Sequence, residues 1–195
     1  SLEIFKTIIT SDIFFNNGFE SNGEINFSSS EILGSLSCQN GKLNNENGIA
    51  LNCDKIKIKG SVFLNNNFEA KGKVFFNSAQ IESTLFCSTG KFINEKDGAL
   101  ICNRIKIKGS VFLNDNFEAK GKVSFSSGYI GGSLVCTKGI FKSENGIALV
   151  FDKAEIKGSV FLNKIKVNGN ANINLVKIGG SLNCIKWKYE NEKGW

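Results

Sequence analysis

The stretch Ile105 to Asn114, read as IKIKGSVFLN, decides the architecture of this 195-residue chain. The same ten residues stand at 56–65, and EIKGSVFLN repeats most of them at 155–163. Gly60, Gly109 and Gly158 therefore recur at a spacing of 49 residues. Tandem repetition with such a period is typical of a solenoid, in which each unit packs on the next.

A shorter alternation of apolar and polar residues runs through each repeat, with one apolar pair about every six residues. Alternation over three to five residues predicts a short strand with one buried face, and no stretch has the 3.6-residue period of a helix. In the repeat that follows Gly60, the apolar pairs are Val62 and Leu64, Phe68 and Ala70, Val74 and Phe76, Ala79 and Ile81, Leu85 and Cys87, Phe92 alone, Leu100 and Cys102, and Ile105 and Ile107.

Eight strands in one repeat predict two coils of four strands each, with each strand pairing with the strand one coil above it. The predicted fold is all-β: a right-handed, roughly four-sided parallel β-helix (β-solenoid) of about eight coils, two for each repeat. We expect a single domain over 1–195, with a partial coil or cap at 1–10, repeats over 11–184 and a tail or cap at 185–195.

Two columns of residues are expected at the corners of the coils. Glycines recur at Gly23, Gly72, Gly121 and Gly169, and asparagines at Asn16, Asn65, Asn114 and Asn163. We expect both columns to turn the chain with positive φ. The chain has no proline, which would interrupt the ladder of hydrogen bonds.

Longer corners occur once in every repeat, at 42–49, 91–99 and 140–147. They should stack on one edge of the solenoid at every second coil. Two interpretations stay open: a binding surface, as for repeated loops on one edge of other solenoids, or solvated turns rich in Asn and Glu.

Composition argues against an enzyme. The chain has no His, so the commonest general base and metal ligand is missing. We expect no catalytic residues, no metal and no cofactor, since no nucleotide-binding glycine motif occurs. Asp54, Asn103 and Asp152 form a corner column that we interpret as structural, and Asp12, Asp97 and Asp115 are scattered.

The charge and hydropathy of the chain give weaker indications. The net charge of +6 attracts acidic partners, but the lysines are spread along the repeat, so we expect no nucleic-acid binding. No membrane span or retained signal peptide is predicted. Unpaired thiols favour a reducing, cytoplasmic location slightly and leave export open.

The six cysteines are predicted to pack in the core. Cys38, Cys87, Cys136 and Cys184 share one column, with Leu64, Leu113 and Leu162 in the coils between them. Within the column the cysteines are about 9.6 Å apart, too far for a disulfide. In a second column Phe151 stands where Cys53 and Cys102 stand in earlier repeats, which argues against a metal or redox pair.

Two outward columns are the candidate surfaces. The first is an aromatic column on the outside of the solenoid, formed by Phe14, Phe63, Phe86, Phe112 and Phe161, with Ser37, Val135 and Asn183 in the coils between them. It predicts either a contact with a partner or second copy, or cover by a neighbouring segment such as the tail with Trp187, Tyr189 and Trp195. The second column alternates in sign and should fix the register of the strands: Glu20, Lys42, Glu69, Lys91 and Glu118.

The strings IKIKGSVFLN, FEAKGKVFF and GSLVC resemble those of bacterial tandem-repeat proteins that are similar to the pentapeptide-repeat β-helices. The resemblance extends over 11–184 and implies the β-solenoid. The six-residue sides depart from the pentapeptide pattern, which should widen the cross-section and admit Phe to the core. Some pentapeptide-repeat proteins mimic DNA through an acidic surface, and this basic chain does not share that property.

The first functional hypothesis is a non-enzymatic scaffold that binds a protein partner or self-assembles through its outer faces or its ends. The alternative is a carbohydrate-binding or carbohydrate-active β-helix that uses the aromatic column to stack sugars. The carbohydrate hypothesis predicts retention on a polysaccharide. The scaffold hypothesis predicts no glycan binding and a particle size that depends on concentration.

Overall fold

A computed structural model describes residues 1–190, and within that range it contains strands and turns but no α-helix. All strand pairs are parallel and join segments one coil apart, so the chain is a β-solenoid of about eight coils. The all-β, parallel β-solenoid prediction is confirmed. The coils have four sides, which we number face 1 to face 4 in chain order.

Faces 1 and 4 are separate eight-stranded sheets of two-residue strands. Face 1 comprises Ile13–Phe14, Leu36–Ser37, Val62–Phe63, Leu85–Phe86, Val111–Phe112, Leu134–Val135, Val160–Phe161 and Leu182–Asn183. Face 4 comprises Ile8–Ile9, Glu31–Ile32, Lys57–Ile58, Gln80–Ile81, Lys106–Ile107, Tyr129–Ile130, Glu155–Ile156 and Lys177–Ile178.

Faces 2 and 3 belong to one twelve-stranded sheet, because four long strands turn the corner between them. The long strands are Lys42–Asn52, Glu69–Phe75, Ile140–Val150 and Lys166–Asn172. The short strands of face 2 are Glu20–Asn22, Lys91–Ile93, Glu118–Lys120 and Lys188–Glu190, and those of face 3 are Leu2–Glu3, Ile25–Asn26, Leu100–Ile101 and Val123–Ser124.

The register shows how two unequal coils make one repeat. Val62 pairs with Leu85, 23 residues later, and Leu85 pairs with Val111, 26 residues later. The extra residues lie in the longer corner between faces 2 and 3, where the pairing of Lys42–Asn52 with Glu69–Phe75 shifts register. Like side chains therefore lie above like side chains along the whole solenoid.

The core consists of columns in which large and small side chains alternate. Cys87 follows Leu64 and precedes Leu113, and its amide donates to the Phe112 carbonyl oxygen at 2.8 Å. On face 3, Cys102 lies between two buried phenylalanines, Phe76 and Phe125. The prediction that the core admits Phe is confirmed, since eight Phe side chains are fully buried: Phe27, Phe68, Phe76, Phe92, Phe117, Phe125, Phe141 and Phe151.

The corners confirm one prediction and correct another. Gly23, Gly72, Gly121 and Gly169 have φ between 113° and 125°, as predicted. The prediction of positive φ at Asn16, Asn65, Asn114 and Asn163 is wrong by one residue. Asn17, Asn66, Asp115 and Lys164 hold the left-handed conformation instead, with φ between 50° and 56°. The side chain of the preceding asparagine connects adjacent coils instead. In Asn163, for example, Oδ1 accepts a hydrogen bond from the Ile185 amide of the next coil at 2.9 Å.

The ends of the described chain continue the solenoid. Residues 1–10 form a partial coil, since Leu2–Glu3 pairs with Ile25–Asn26 and Ile8–Ile9 pairs with Glu31–Ile32. At the other end, Lys188–Glu190 adds a further strand to face 2. Trp187 packs against the end of the core, so it does not cover the aromatic column on face 1. Trp195, at the end of the predicted tail, lies outside the described residues.

Candidate functional site on the outer faces

The aromatic column runs along the outside of face 1, one side chain per coil. Register places Phe14, Ser37, Phe63, Phe86 and Phe112 in successive coils. Val135, Phe161 and Asn183 follow in the same column. The structure therefore brings all five predicted aromatic residues onto one line, which Ser37 interrupts once and Val135 once.

The middle of the aromatic column is a stack of three rings. The ring centroids of Phe63 and Phe86 are 5.1 Å apart with an interplanar angle of 2°. Those of Phe86 and Phe112 are 5.3 Å apart at 4°. The rings are therefore stacked in parallel at a spacing close to that of the strands, which is about 4.8 Å. Each ring therefore covers part of the face of its neighbour.

The exposure of the aromatic column varies along its length. Phe63, Phe86, Phe112 and Phe161 are half-buried, whereas Phe14 is 66% exposed. Ser37 is buried and its hydroxyl donates to Asn16 Oδ1 at 2.8 Å. The column is thus an apolar strip one side chain wide, with its most accessible ring at the Phe14 end.

Polar ladders border the strip and hold it rigid. On one side, the Ser159 amide donates to Ser133 Oγ at 3.1 Å, and the Ser133 amide donates to Ser110 Oγ at 3.0 Å. On the other side, Asn16 Oδ1 accepts the Gln39 amide at 2.9 Å. Each hydroxyl or amide oxygen therefore connects one coil to the next beside the aromatic rings.

The predicted longer corners stack between faces 2 and 3, as expected. The corners near 95–98 and 143–147 flank a cavity of about 330 Å³, with Lys122 on its floor. Ion pairs join the corners to adjacent coils, with Lys71 Nζ 3.8 Å from Glu46 Oε1 and Lys73 Nζ 4.0 Å from Asp97 Oδ2. The groove is lined by both acidic and basic side chains, with Ile147 as the one apolar side chain among its described residues.

The column of alternating charge on face 2 lies in the predicted register, with Glu20, Lys42, Glu69 and Lys91 on successive strands. Lys42 Nζ is 2.8 Å from Glu20 Oε1. This hydrogen bond lowers the pKa of Glu20 and raises the pKa of Lys42. Glu118, however, pairs with Lys142 at 3.2 Å, a residue outside the column.

All six cysteines are unpaired, and all except Cys184 are buried. Burial raises the pKa of the Cys38 thiol to about 12, and it raises the pKa of the other four buried thiols as well. These thiols are therefore held in the protonated form and are shielded from reagents. Within residues 1–190, no group of three or more Cys, Asp or Glu side chains is placed to hold a metal ion.

The corner column of Asp54, Asn103 and Asp152 makes structural contacts. Asn103 Oδ1 accepts a hydrogen bond from Ser124 Oγ at 2.6 Å, and the Asp152 carbonyl oxygen accepts the Ser127 amide at 2.8 Å. Asp12, one of the scattered carboxylates, accepts the Ser35 amide at 2.6 Å. These residues connect adjacent coils.

One surface that the structure shows is not predicted by the even spread of lysines along the chain. The lysines are spread along the chain but gathered in space, because each IKIKG string places two lysines outward on face 4. The alternation within each IKIKG string indicates this surface, because alternate residues of a strand lie on the same side of the sheet.

Comparisons with family models, with curated proteins and with solved structures found no match. The resemblance to the pentapeptide-repeat β-helices stays a prediction. No helix in residues 1–190 is long and apolar enough to span a membrane. What is shown for this chain is the β-solenoid fold and the columns of side chains on its faces.

Proposed function

We propose that this chain is a non-enzymatic scaffold that uses face 1 to contact protein, and that a second copy of the chain is its partner there. The observation that supports the proposal is the aromatic column. An apolar strip that extends along a rigid face and ends in an accessible ring at Phe14 is typical of a contact surface.

The shape of the strip favours a protein surface over a sugar. Sugars stack on the open faces of aromatic rings, but the rings of Phe63, Phe86 and Phe112 are nearly parallel and partly cover one another's faces. Ring edges and half-buried side chains pack well against another flat apolar strip. Two copies that bring their aromatic columns together would bury the strip on both.

The test is the mass of the chain as a function of concentration, measured by sedimentation equilibrium. We expect the wild type to associate reversibly. Phe14→Ser combined with Phe161→Ser should weaken the association by about tenfold or more, because truncated aromatic anchors commonly cost at least this much. Neither ring has a stacked neighbour in the column, so the fold should persist.

The control is Ile147→Ser, which removes an exposed apolar side chain at the corner between faces 2 and 3. It should leave the association unchanged. A wild-type mass that does not depend on concentration would refute the proposal. Retention of the wild type on a polysaccharide, lost in Phe63→Ala with Phe112→Ala, would favour the carbohydrate alternative instead.

A further inference from the structure

Face 4 concentrates the positive charge of the protein. Face 4 and its preceding corner comprise 5–10, 28–34, 54–60, 77–83, 103–109, 126–132, 152–158 and 174–180. They contain ten of the 24 Lys and Arg residues and five of the 18 Asp and Glu residues, a net charge of +5 out of +6. The other faces are close to neutral, so the electrostatic field of the chain is strongly one-sided.

Four of the ten cations have a carboxylate partner on the same face. Lys55 pairs with Asp54, Lys59 with Glu31, Lys108 with Glu82, and Lys157 with Glu155. The other six are exposed and make no ion pair within 4.0 Å among the described residues: Lys6, Lys57, Arg104, Lys106, Lys153 and Lys177.

The unpaired cations are arranged by the register of the coils. Lys57, Gln80 and Lys106 lie on successive strands, so the two lysines are about 9.6 Å apart along the axis. Arg104 and Lys153 stand at the preceding corner, again two coils apart. From the first coil to the eighth, the array extends over about 34 Å. A rigid parallel sheet holds all six charges on one side of the molecule.

Apolar side chains and a small depression accompany these charges. Ile8 is 68% exposed and Leu33 is 44% exposed on the same face. Ile8 also lines a cavity of about 130 Å³, together with three lysines, Lys6, Lys55 and Lys57, one carboxylate, Glu31, and the small polar residues Thr7, Ser29 and Ser30.

We infer that face 4 adsorbs to an anionic lipid bilayer. Clustered cations that lie flat on one face can all approach a planar anionic surface at once, and each adds to the affinity. Exposed aliphatic side chains among the cations would enter the interface between headgroups and acyl chains. Proteins that bind single-stranded nucleic acid instead combine a groove with stacking aromatic rings. Face 4 has few rings for such stacking, since Tyr129 is the one aromatic residue in its outward column and Phe5 is exposed at the preceding corner.

The experiment is co-sedimentation of the 195-residue chain with vesicles of phosphatidylcholine that contain or lack about a third phosphatidylserine. We expect binding only to the anionic vesicles, and its loss at 1 M salt, where the screening length falls to about 3 Å. Lys57→Gln with Lys106→Gln should lower the partition coefficient by about 25-fold, close to fivefold for each charge.

The control is Lys91→Gln with Lys166→Gln, which removes the same charge from exposed positions on face 2. It should lower the partition coefficient by less than about threefold, through the net charge alone. Equal losses in the two double variants would overturn the assignment to face 4. Absence of binding to anionic vesicles would overturn it too, and so would binding to a single-stranded oligonucleotide in place of the vesicles.

Discussion

Removal of the central ring from the aromatic stack should cost more stability than removal of an unstacked ring from the same column. Phe86 lies 5.1 Å and 5.3 Å from the rings of its two neighbours, and both ring pairs are nearly parallel. Each such pair contributes about 0.5–1.5 kcal/mol beyond the buried area. Phe86→Leu keeps most of the apolar surface but abolishes both pairs, so we expect a loss of about 1–3 kcal/mol.

Phe161→Leu is the matched control, because its neighbours in the column are Val135 and Asn183 and it has no ring to lose. The two substitutions share the same change in size and in strand propensity. The assay is urea unfolding followed by circular dichroism, with an unchanged dependence on denaturant as the sign that cooperativity is kept. Equal losses for Phe86→Leu and Phe161→Leu would refute the claim that stacking stabilises the column.

Three other outcomes follow from the packing of the coils. Gly90→Ala should destabilise the protein by about 1–3 kcal/mol, because a Cβ there would lie 2.7 Å from the Leu64 carbonyl oxygen, which the backbone holds in place. Gly48→Ala should cost less, because the nearest atoms to its Cβ belong to the Asn45 side chain, which can move at the loss of one hydrogen bond to the Ile49 carbonyl oxygen. Similar stabilities of the two variants in urea would contradict this. In the native protein only the exposed thiol of Cys184 should react with a thiol reagent, because the other five cysteines are buried. All six should react after unfolding. Rapid labelling of several thiols in the native protein would contradict their burial. Burial raises the pKa of Cys38 and of the other buried thiols in the folded state, so above pH about 8.5 the unfolded chain loses these protons while the folded chain keeps them. The free energy of unfolding should therefore fall as the pH rises above about 8.5, by up to about 1.4 kcal/mol per pH unit for each buried thiol. Unfolding free energies measured between pH 8 and pH 10 should therefore fall, and more gently in Cys38→Ala.

Much of the fold follows from periodicity alone. A strand alternates its side chains with a period of two, and a solenoid repeats its coil, so position within the repeat specifies the face and the side of each residue. The aromatic column from Phe14 to Phe161 and the Cys87 column could be placed on this basis. The polar corner could not be placed as accurately. Both Asn65 and Asn66 suit a turn, and hydrogen bonding between coils decides which of them takes the positive φ.

The charged face shows a different limit. A count of lysines along the chain gives an even spread, and only the superposition of coils reveals that Lys57 and Lys106 share one face. Ion pairing is equally hard to predict, because Glu118 reaches Lys142 through rotamers that the strand register does not determine. The charge of a solenoid surface therefore depends on which residues each face collects from successive coils, and not on their spacing along the chain.

The superposition of the coils is tested most directly by disulfide formation between neighbouring coils. Gln80 and Lys106 are register partners on face 4, so their Cα atoms should be about 4.8 Å apart, within the range that a disulfide accepts. In a Cys184→Ser background, Gln80→Cys with Lys106→Cys should form an intramolecular disulfide on mild oxidation, detected by mass spectrometry after digestion. Lys57→Cys with Lys106→Cys, two coils apart, should not. Absence of the first bond, or equal yields of the two, would contradict the stacked-coil structure.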